Sequence, residues 1–295
     1  MVGYKSNPYL EFLIKAPFYL LAITMFIPYY WMVTGSFKTI AELVKVPPTF
    51  LVQNPTVKNF FNSQSTEPNQ WLGLFQRYTE GLGFWGFYLN SLLITSFVVT
   101  VSLMLASIVA FILVKYPFPG SKFLFMVLLA SMMIPWEVTI IPNFLTISAL
   151  NWINTPQALM LPGLAKAFVV FYFRQSILSI PTDIIDAAKI DGASVMRTWW
   201  SVALPMLRPA IAAIAIPVAL GEWGNFLWPL LVINDDAHST LPLALGRLAG
   251  NLATDPKAQG VVLAASLITS LPAVILFLMF QRQFIQGLTS GATKG

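Results

Sequence analysis

The chain has 295 residues, of which 57% are hydrophobic and 10% charged. A soluble domain carries about a quarter charged residues, and no water-soluble fold of this length solvates so much apolar surface, so the composition excludes a soluble globular protein. Seventeen Lys+Arg against twelve Asp+Glu leave a net charge of +5. The basic residues form no stripe and are scattered over connections between apolar blocks, which points away from nucleic acid and toward charge that sets membrane topology. With no cysteine and one histidine, His238, disulfides, thiolate sites and histidine-based metal sites are excluded.

Six apolar blocks follow in chain order: Ala16–Gly35, Phe87–Val114, Phe123–Ile147, Ala158–Leu178, Leu204–Ile233 and Gly260–Phe280. Each approaches or exceeds the roughly 20 residues that a bilayer core requires, so an all-α membrane protein with six transmembrane helices is predicted. Lys15 precedes the first block, but its apolar stretch is long and no A-x-A-like cleavage site follows, which reads as a retained span rather than a signal peptide. Pro28, Pro135, Pro142, Pro162, Pro217 and Pro272 fall inside blocks. Such breakers are tolerated where neighbouring helices or water satisfy the freed backbone groups; they suit a bundle around a pathway without marking a site.

Short connections set the orientation. Lys5 and Lys15 precede the first span, Lys115 and Lys122 flank the turn after the second, and Arg174, Lys189, Arg197 and Arg208 surround the connection after the fourth. Arg282 and Lys294 follow the sixth, whereas Ser148–Gln157 carries no charge and Asn234–Gln259 is nearly balanced. The N-terminal residues 1–15 and the tail 281–295 are therefore predicted in the cytoplasm, with 36–86 and 234–259 outside. Segment 36–86 holds Pro47, Pro48, Pro55 and Pro68 with Phe60, Phe61 and Trp71. Two readings stand for it: a dock for an external partner, or a small cap or interfacial stretch over the bundle.

The cytoplasmic connection 180–203 is long and reads as two short helices. Asp183 is the predicted N-cap of the first, and Asp186 lies near the positive end of its dipole. Ile184, Ala187 and Ala188 share one face, and Gly192 supplies a left-handed stop. Ser194 is placed to cap a second helix, where Val195, Trp199 and Val202 recur on one side. Pro205 and Pro209 then suit the start of the fifth span. The result is a helix-turn-helix knob, small on one face and aromatic on the other. It is either a docking element whose alanines admit close approach of another protein, or a solvated amphipathic loop.

Asp186-Ala187-Ala188 followed by Asp191-Gly192-Ala193, Leu204-Pro205 and Pro209 resembles the E-A-A-x-x-x-G signature of ABC-importer permeases, in particular the maltose-type carbohydrate permease subunits. The likeness extends through Ile134–Pro142, Asn154–Ala158, Leu161-Pro162, Phe173-Arg174-Gln175, Glu222–Pro229, Thr240–Pro242 and the ending Gln281–Gly295. The family implies a type I ABC importer permease fold whose loop helix, carrying Asp186, Ala187, Ala188, Asp191 and Gly192, couples to a cytoplasmic ATPase dimer. It also implies a second, homologous permease subunit and an external solute-binding protein, with a sugar-like solute. Asp186 stands where the family usually has Glu, one methylene shorter. The tail resembles one that reaches into the ATPase interface, a suggestion inherited by Gln286, Gly287, Gly291 and Gly295.

The chain has no G-x-x-x-x-G-K-[ST] string, and its glycine-rich ending follows a span with no strand or helix to build a phosphate cradle. No cofactor is expected on this subunit; ATP and Mg²⁺ belong to the partner, and the chain is not itself an enzyme. Polar groups inside spans are costly unless partnered or wet, which singles out Glu137, Asn143, Lys166, Glu222 and Asn225. One reading is a vestibule with Trp136, Trp223 and Trp228 offering flat faces to a sugar; the other is interhelical pairing, for example Lys166 with Glu137 or Glu222, with tryptophans in the interface belt. A secondary transporter would carry an internal repeat that is not apparent here, and a membrane scaffold would carry a soluble effector domain. A glycerol-phosphate permease of the same family remains as the alternative, for which convergent Arg and Lys are expected.

Overall fold

The computed structural model describes residues 8–61, 73–77, 83–250 and 258–289, and the described residues form helices and their connections. Three helices are long and apolar enough to cross a membrane: Phe12–Ser36, Phe84–Lys115 and Gln259–Gln281. Three bent pairs bring the number to six where each pair is one span: Ser121–Ser131 with Trp136–Ala149, Ala167–Leu178 with Thr182–Ile190, and Val195–Met206 with Arg208–Trp223. Two compact units divide the chain, Met1–Phe84 with Leu245–Ser270, and Trp85–Ala244 with Leu271–Gly295.

In the first unit, the helix Pro8–Ser36 runs through Pro17 and Pro28. Its apolar window is unburied within the chain, as expected of a helix that is hydrophobic all round and faces lipid or another apolar surface. Beyond Ser36 the segment is ordered by a buried polar knot. The Glu42 carboxylate accepts from the Thr49 hydroxyl at 2.8 Å, from Gln53 N–H at 3.0 Å and from Asn54 N–H at 3.2 Å. Lys38, 1% exposed, donates to the Thr49 carbonyl and lies 4.5 Å from the Trp31 ring centre. Asn59 donates to the carbonyls of Ser36 and Lys38 at 2.8 and 2.9 Å. Burial alone raises the Glu42 pKa; the hydrogen bonds from Gln53, Thr49 and Asn54 and the Lys38 charge outweigh it and hold it below the ordinary carboxylate value. Two glycines permit the final helix to close on this knot. A Cβ at Gly260 would stand 2.4 Å from Asn59 Oδ1, and one at Gly35 2.5 Å from Leu263 Cδ1. Of the two readings of segment 36–86, its described part thus has its own ordered core.

In the second unit, the helix Phe84–Lys115 buries Ser102, Ala106 and Ala110 at four-residue intervals against Val169, Phe173, Ala203 and Leu207. Lipid tails are as apolar as leucine, so helices associate through close packing of small residues rather than escape from water. Ser102 and Ser107 return their hydroxyls to the carbonyls of Val99 and Met104 and so bury no unpaired group. A second cluster gathers Val98, Ile147, Ala158, Trp228 and Val232.

The span expected at Phe123–Ile147 bends by 101° between Ser131 and Trp136, where Pro135 has no N–H for a continued helix. Within the span expected at Ala158–Leu178, residues 161–166 leave helical geometry around Pro162-Gly163, and regular helix resumes at Ala167–Leu178. The block Leu204–Ile233 is interrupted twice. It breaks at Leu207, ahead of Pro209, and again at Gly224–Phe226, between helices Arg208–Trp223 and Leu227–Val232.

Candidate functional site

These breaks build a cavity of about 360 Å³ within the second unit, toward the small end of the roughly 300–1,000 Å³ typical of ligand sites. Its wall includes Trp136, Asn143, Gly163, Lys166, Glu222, Asn225 and Trp228. Lys166 holds the N-cap position of Ala167–Leu178, and Glu222 lies in the last turn of Arg208–Trp223. Both charges thus oppose the dipole of their own helix. They meet each other instead: Lys166 Nζ donates to Glu222 Oε1 at 2.6 Å, with 24% and 11% of the two side chains exposed. This is one of the interhelical pairings anticipated from sequence, and it lies on the cavity wall.

Gly163 explains why the break sits where it does. A Cβ there would approach Val98 Cγ1 at 3.1 Å and both Glu222 carboxylate oxygens at 3.6 Å, so glycine lets the unwound backbone lie against the ion pair. Trp228 Nε1 donates to the Ala158 carbonyl at 2.8 Å, and the Trp136 and Trp228 rings meet edge to face at 6.3 Å. The aromatic wall is therefore locked in place. Of the residues predicted for a solute pathway, Asn143, Glu222 and Asn225 line this cavity. Glu137 is exposed in the first turn of Trp136–Ala149 and does not line it. Trp223 is buried, edge to face with Tyr88 at 5.6 Å, and does not line it either. Gly163 escaped sequence reasoning; its signal is a Pro-Gly pair interrupting an apolar span, a mark of transporter binding sites.

The connection after the fourth span forms helices Thr182–Ile190 and Val195–Thr198, the latter continuing as a wider π-helical turn over Trp199–Ala203. The widening falls where the Pro205 ring crowds the carbonyl four residues earlier. Pro181, not Asp183, holds the N-cap position; the chain turns there at φ −55°, ψ 135°, and Asp183 falls in the first turn. The inward face is set by fully buried Ile185, which leaves Ile184 and Ala187 exposed and Ala188 half-buried. Gly192 has φ +77°, the left-handed stop expected, and Ser194 Oγ accepts from Arg197 N–H at 3.3 Å. Asp191 is exposed at the helix C-cap.

Asp186 is bonded to Lys189 at 2.9 Å, and Lys189 lies 4.9 Å from the Tyr116 ring centre. The hydrogen bond to Asp186, helped by its charge and outweighing desolvation, raises the Lys189 pKa. Lys115, predicted only as a topology charge, donates to the Ile180 carbonyl at 2.6 Å. The end of the second span thus grips the chain immediately before the loop helix. Around this helix Ile190 is 86% exposed, with Met196 and Trp200 more than half exposed. Gln286 and Gly287 fall in the final helix Gln259–Thr289, whereas Gly291 and Gly295 lie outside the described residues.

Broken apolar helices around a charge-paired cavity, with a right-angled surface helix, define a membrane-embedded permease. Residues 102–288 match the family described as binding-protein-dependent transport system inner membrane component, and the chain belongs to that family. It is 35% identical, over 99% of both chains, to the arabinooligosaccharides transport system permease protein AraQ of Halalkalibacterium halodurans. It is 30% identical, over 91% of both chains, to the lactose transport system permease protein LacG of Rhizobium radiobacter. The sn-glycerol-3-phosphate transport system permease protein UgpE of Yersinia pestis is 31% identical over 75% of this chain and 80% of its own. The fold matches that of a chain from the crystal structure of a bacterial ABC transporter involved in the import of the acidic polysaccharide alginate, with a TM-score of 0.79 and 21% identity over 96% of this chain and 99% of that one.

Proposed function

We propose that this chain forms half of the translocation pathway of an ATP-driven importer of sugars, with an oligosaccharide or related glycoside as the solute. A second permease subunit completes the pathway, an external binding protein delivers the solute, and a separate cytoplasmic ATPase dimer binds ATP and Mg²⁺. Both termini lie in the cytoplasm. Helix Thr182–Ile190, with Asp186, Ala187, Ala188, Asp191 and Gly192, docks on the ATPase, and the tail at Gln286, Gly287 and Gly291 follows it to that interface. The exposed apolar side chains around this helix support the docking role.

The observation that carries the solute class is the internally compensated charge of the cavity. A neutral polyhydroxyl solute needs hydrogen-bonding groups and flat aromatic faces, and Asn143, Asn225, Trp136 and Trp228 supply both types. A phosphate ester needs uncompensated cations. Among the described residues Lys166 is the one basic group on the wall, and it is engaged by Glu222. The relatives named for arabinooligosaccharides and lactose agree with this reading, and it weighs against the activity in the UgpE name.

The test is uptake by proteoliposomes carrying the assembled importer with its binding protein, offered neutral oligosaccharides and sn-glycerol 3-phosphate in parallel. ATP-dependent accumulation of a neutral oligosaccharide is expected. Accumulation of the phosphate ester alone would overturn the assignment.

A further inference from the structure

Beyond the transport site, the segment after the first helix carries a feature that a connecting loop has no need of. Its tip is apolar and exposed: Val46, Phe50 and Leu51 are 91%, 69% and 74% accessible. Singly exposed apolar residues are ordinary, but a contiguous group held rigidly outward is a contact surface. The rigidity comes from the polar knot. Glu42 gathers Thr49, Gln53 and Asn54, Lys38 holds the Thr49 carbonyl, and Thr56 N–H closes the loop on the Phe37 carbonyl at 2.8 Å.

The depth of the tip is fixed by one further bond. Tyr30 Oη donates to the Phe50 carbonyl at 3.0 Å. Tyr30 lies six residues before the helix end at Ser36, which is about 9 Å back along the axis. The loop therefore leaves the helix end and folds back alongside it. The first span expected from sequence, Ala16–Gly35, carries Tyr29, Tyr30 and Trp31 in its last two turns, an aromatic cluster of the kind enriched toward a membrane–water boundary. The Phe50 carbonyl is thus held beside a helix whose apolar window is unburied within the chain. Exposed Lys45, between Val44 and Val46, has the long stem that reaches headgroups while its neighbours stay in the apolar layer.

We propose that Val46, Phe50 and Leu51 insert into the lipid interface on the side where the first helix ends. They act as a fixed wedge that sets the depth of that helix in the bilayer. The occupant is lipid; a protein partner covering the same side chains is the rival outcome of the test.

Because the chain contains no cysteine, single cysteines can be placed in it without further change, the cysteines of the other subunits being replaced. In the complete importer reconstituted in phosphatidylethanolamine–phosphatidylglycerol vesicles, Phe50→Cys, Leu51→Cys and Lys58→Cys are each labelled with an environment-sensitive nitrobenzoxadiazole probe. The expected result at positions 50 and 51 is blue-shifted emission, quenching by lipids with a nitroxide near the glycerol backbone, and loss of quenching by aqueous iodide. The exposed Lys58 site should show the converse. Iodide quenching at 50 and 51 without lipid quenching would place the loop in water, and protection from both quenchers would place a protein over it. Either result overturns the proposal.

Discussion

Among the described residues, the charged groups around Glu42 and the pair Glu222–Lys166 are built on opposite plans. Around Glu42 both carboxylate oxygens are engaged: three donors converge on them, Lys38 lies over Trp31 and is bonded to a carbonyl, and Asn59 satisfies two more carbonyls. At Glu222 and Lys166 one contact joins the pair, both sit at the wrong ends of their helices, and a cavity lies beside them. A fully satisfied network rigidifies a fold. A pair with spare acceptors and donors facing a cavity is available to a ligand. On the proposed function, the difference separates charge used for architecture from charge used for transport.

The largest expected effects come from breaking the architectural side. Asn59→Ala strands the buried Ser36 and Lys38 carbonyls at a cost of about 1–3 kcal/mol for each group left unsatisfied, read as a lowered unfolding midpoint of the purified protein. Gly260→Ala forces Asn59 to move and should cost about 1–3 kcal/mol by overpacking. Acid weakens the same knot. The native Glu42 carboxyl binds its proton less readily than an ordinary carboxyl of pKa 4.5, so its contribution is complete above that value and lost as pH falls through the lower native one. The stability difference between the wild type and Glu42→Gln should therefore shrink on acidification below pH 4.5; a difference that stays constant would contradict the role given to its charge.

On the transport side the expectation reverses. Glu222→Gln or Lys166→Met should cost only about 0.2–1 kcal/mol of stability, the scale of a solvated pair, rather than the roughly 3–5 kcal/mol of a dry one. Each should nevertheless impair uptake, and Glu222→Gln should make neutral-sugar uptake sensitive to added anions because Lys166 loses its counter-charge. The double variant should recover part of the loss, with a coupling of about 0.5–3 kcal/mol between contacting groups. Single variants that unfold while the double stands would make this pair architectural too and erase the contrast. A smaller effect, about 1 kcal/mol, is expected for Trp228→Phe, which removes the bond to the Ala158 carbonyl; uptake should decline through a loosened aromatic wall.

Much of the transport side was legible in the sequence. Apolar block lengths located the three long helices and the bent pairs, Gly192 announced its left-handed turn, and Ser194 its cap. Two kinds of feature were not legible. The first is where an apolar block stops being helix: Pro135, Pro162-Gly163 and Gly224 lie inside blocks long enough to read as single spans, and only packing decides whether a proline kinks a helix or ends it. Pro28 and Pro272 remain inside continuous helices. The second is which side of a short amphipathic segment faces inward. Ile184 and Ile185 are equivalent to a periodicity argument, and the buried cluster chose Ile185. The polar knot was hidden for a related reason: Asn59 meets Ser36 across 23 residues and Gly260 from the far end of the chain.

Gly192 offers the most direct test of the central claim, that this permease is driven through its surface helix by a separate ATPase. A Cβ there meets no neighbour, so a substitution strains only the backbone at φ +77°. That strain is about 1–2 kcal/mol for an ordinary side chain and least for asparagine, so Val should weaken docking by about tenfold while Asn is tolerated. The measurement is ATP-dependent solute uptake, with co-purification of the ATPase, for Gly192→Val and Gly192→Asn inserted at equal levels. A fall of about tenfold in both for the Val variant, with retention in the Asn variant, is the predicted result. Wild-type uptake by the Val variant would contradict it.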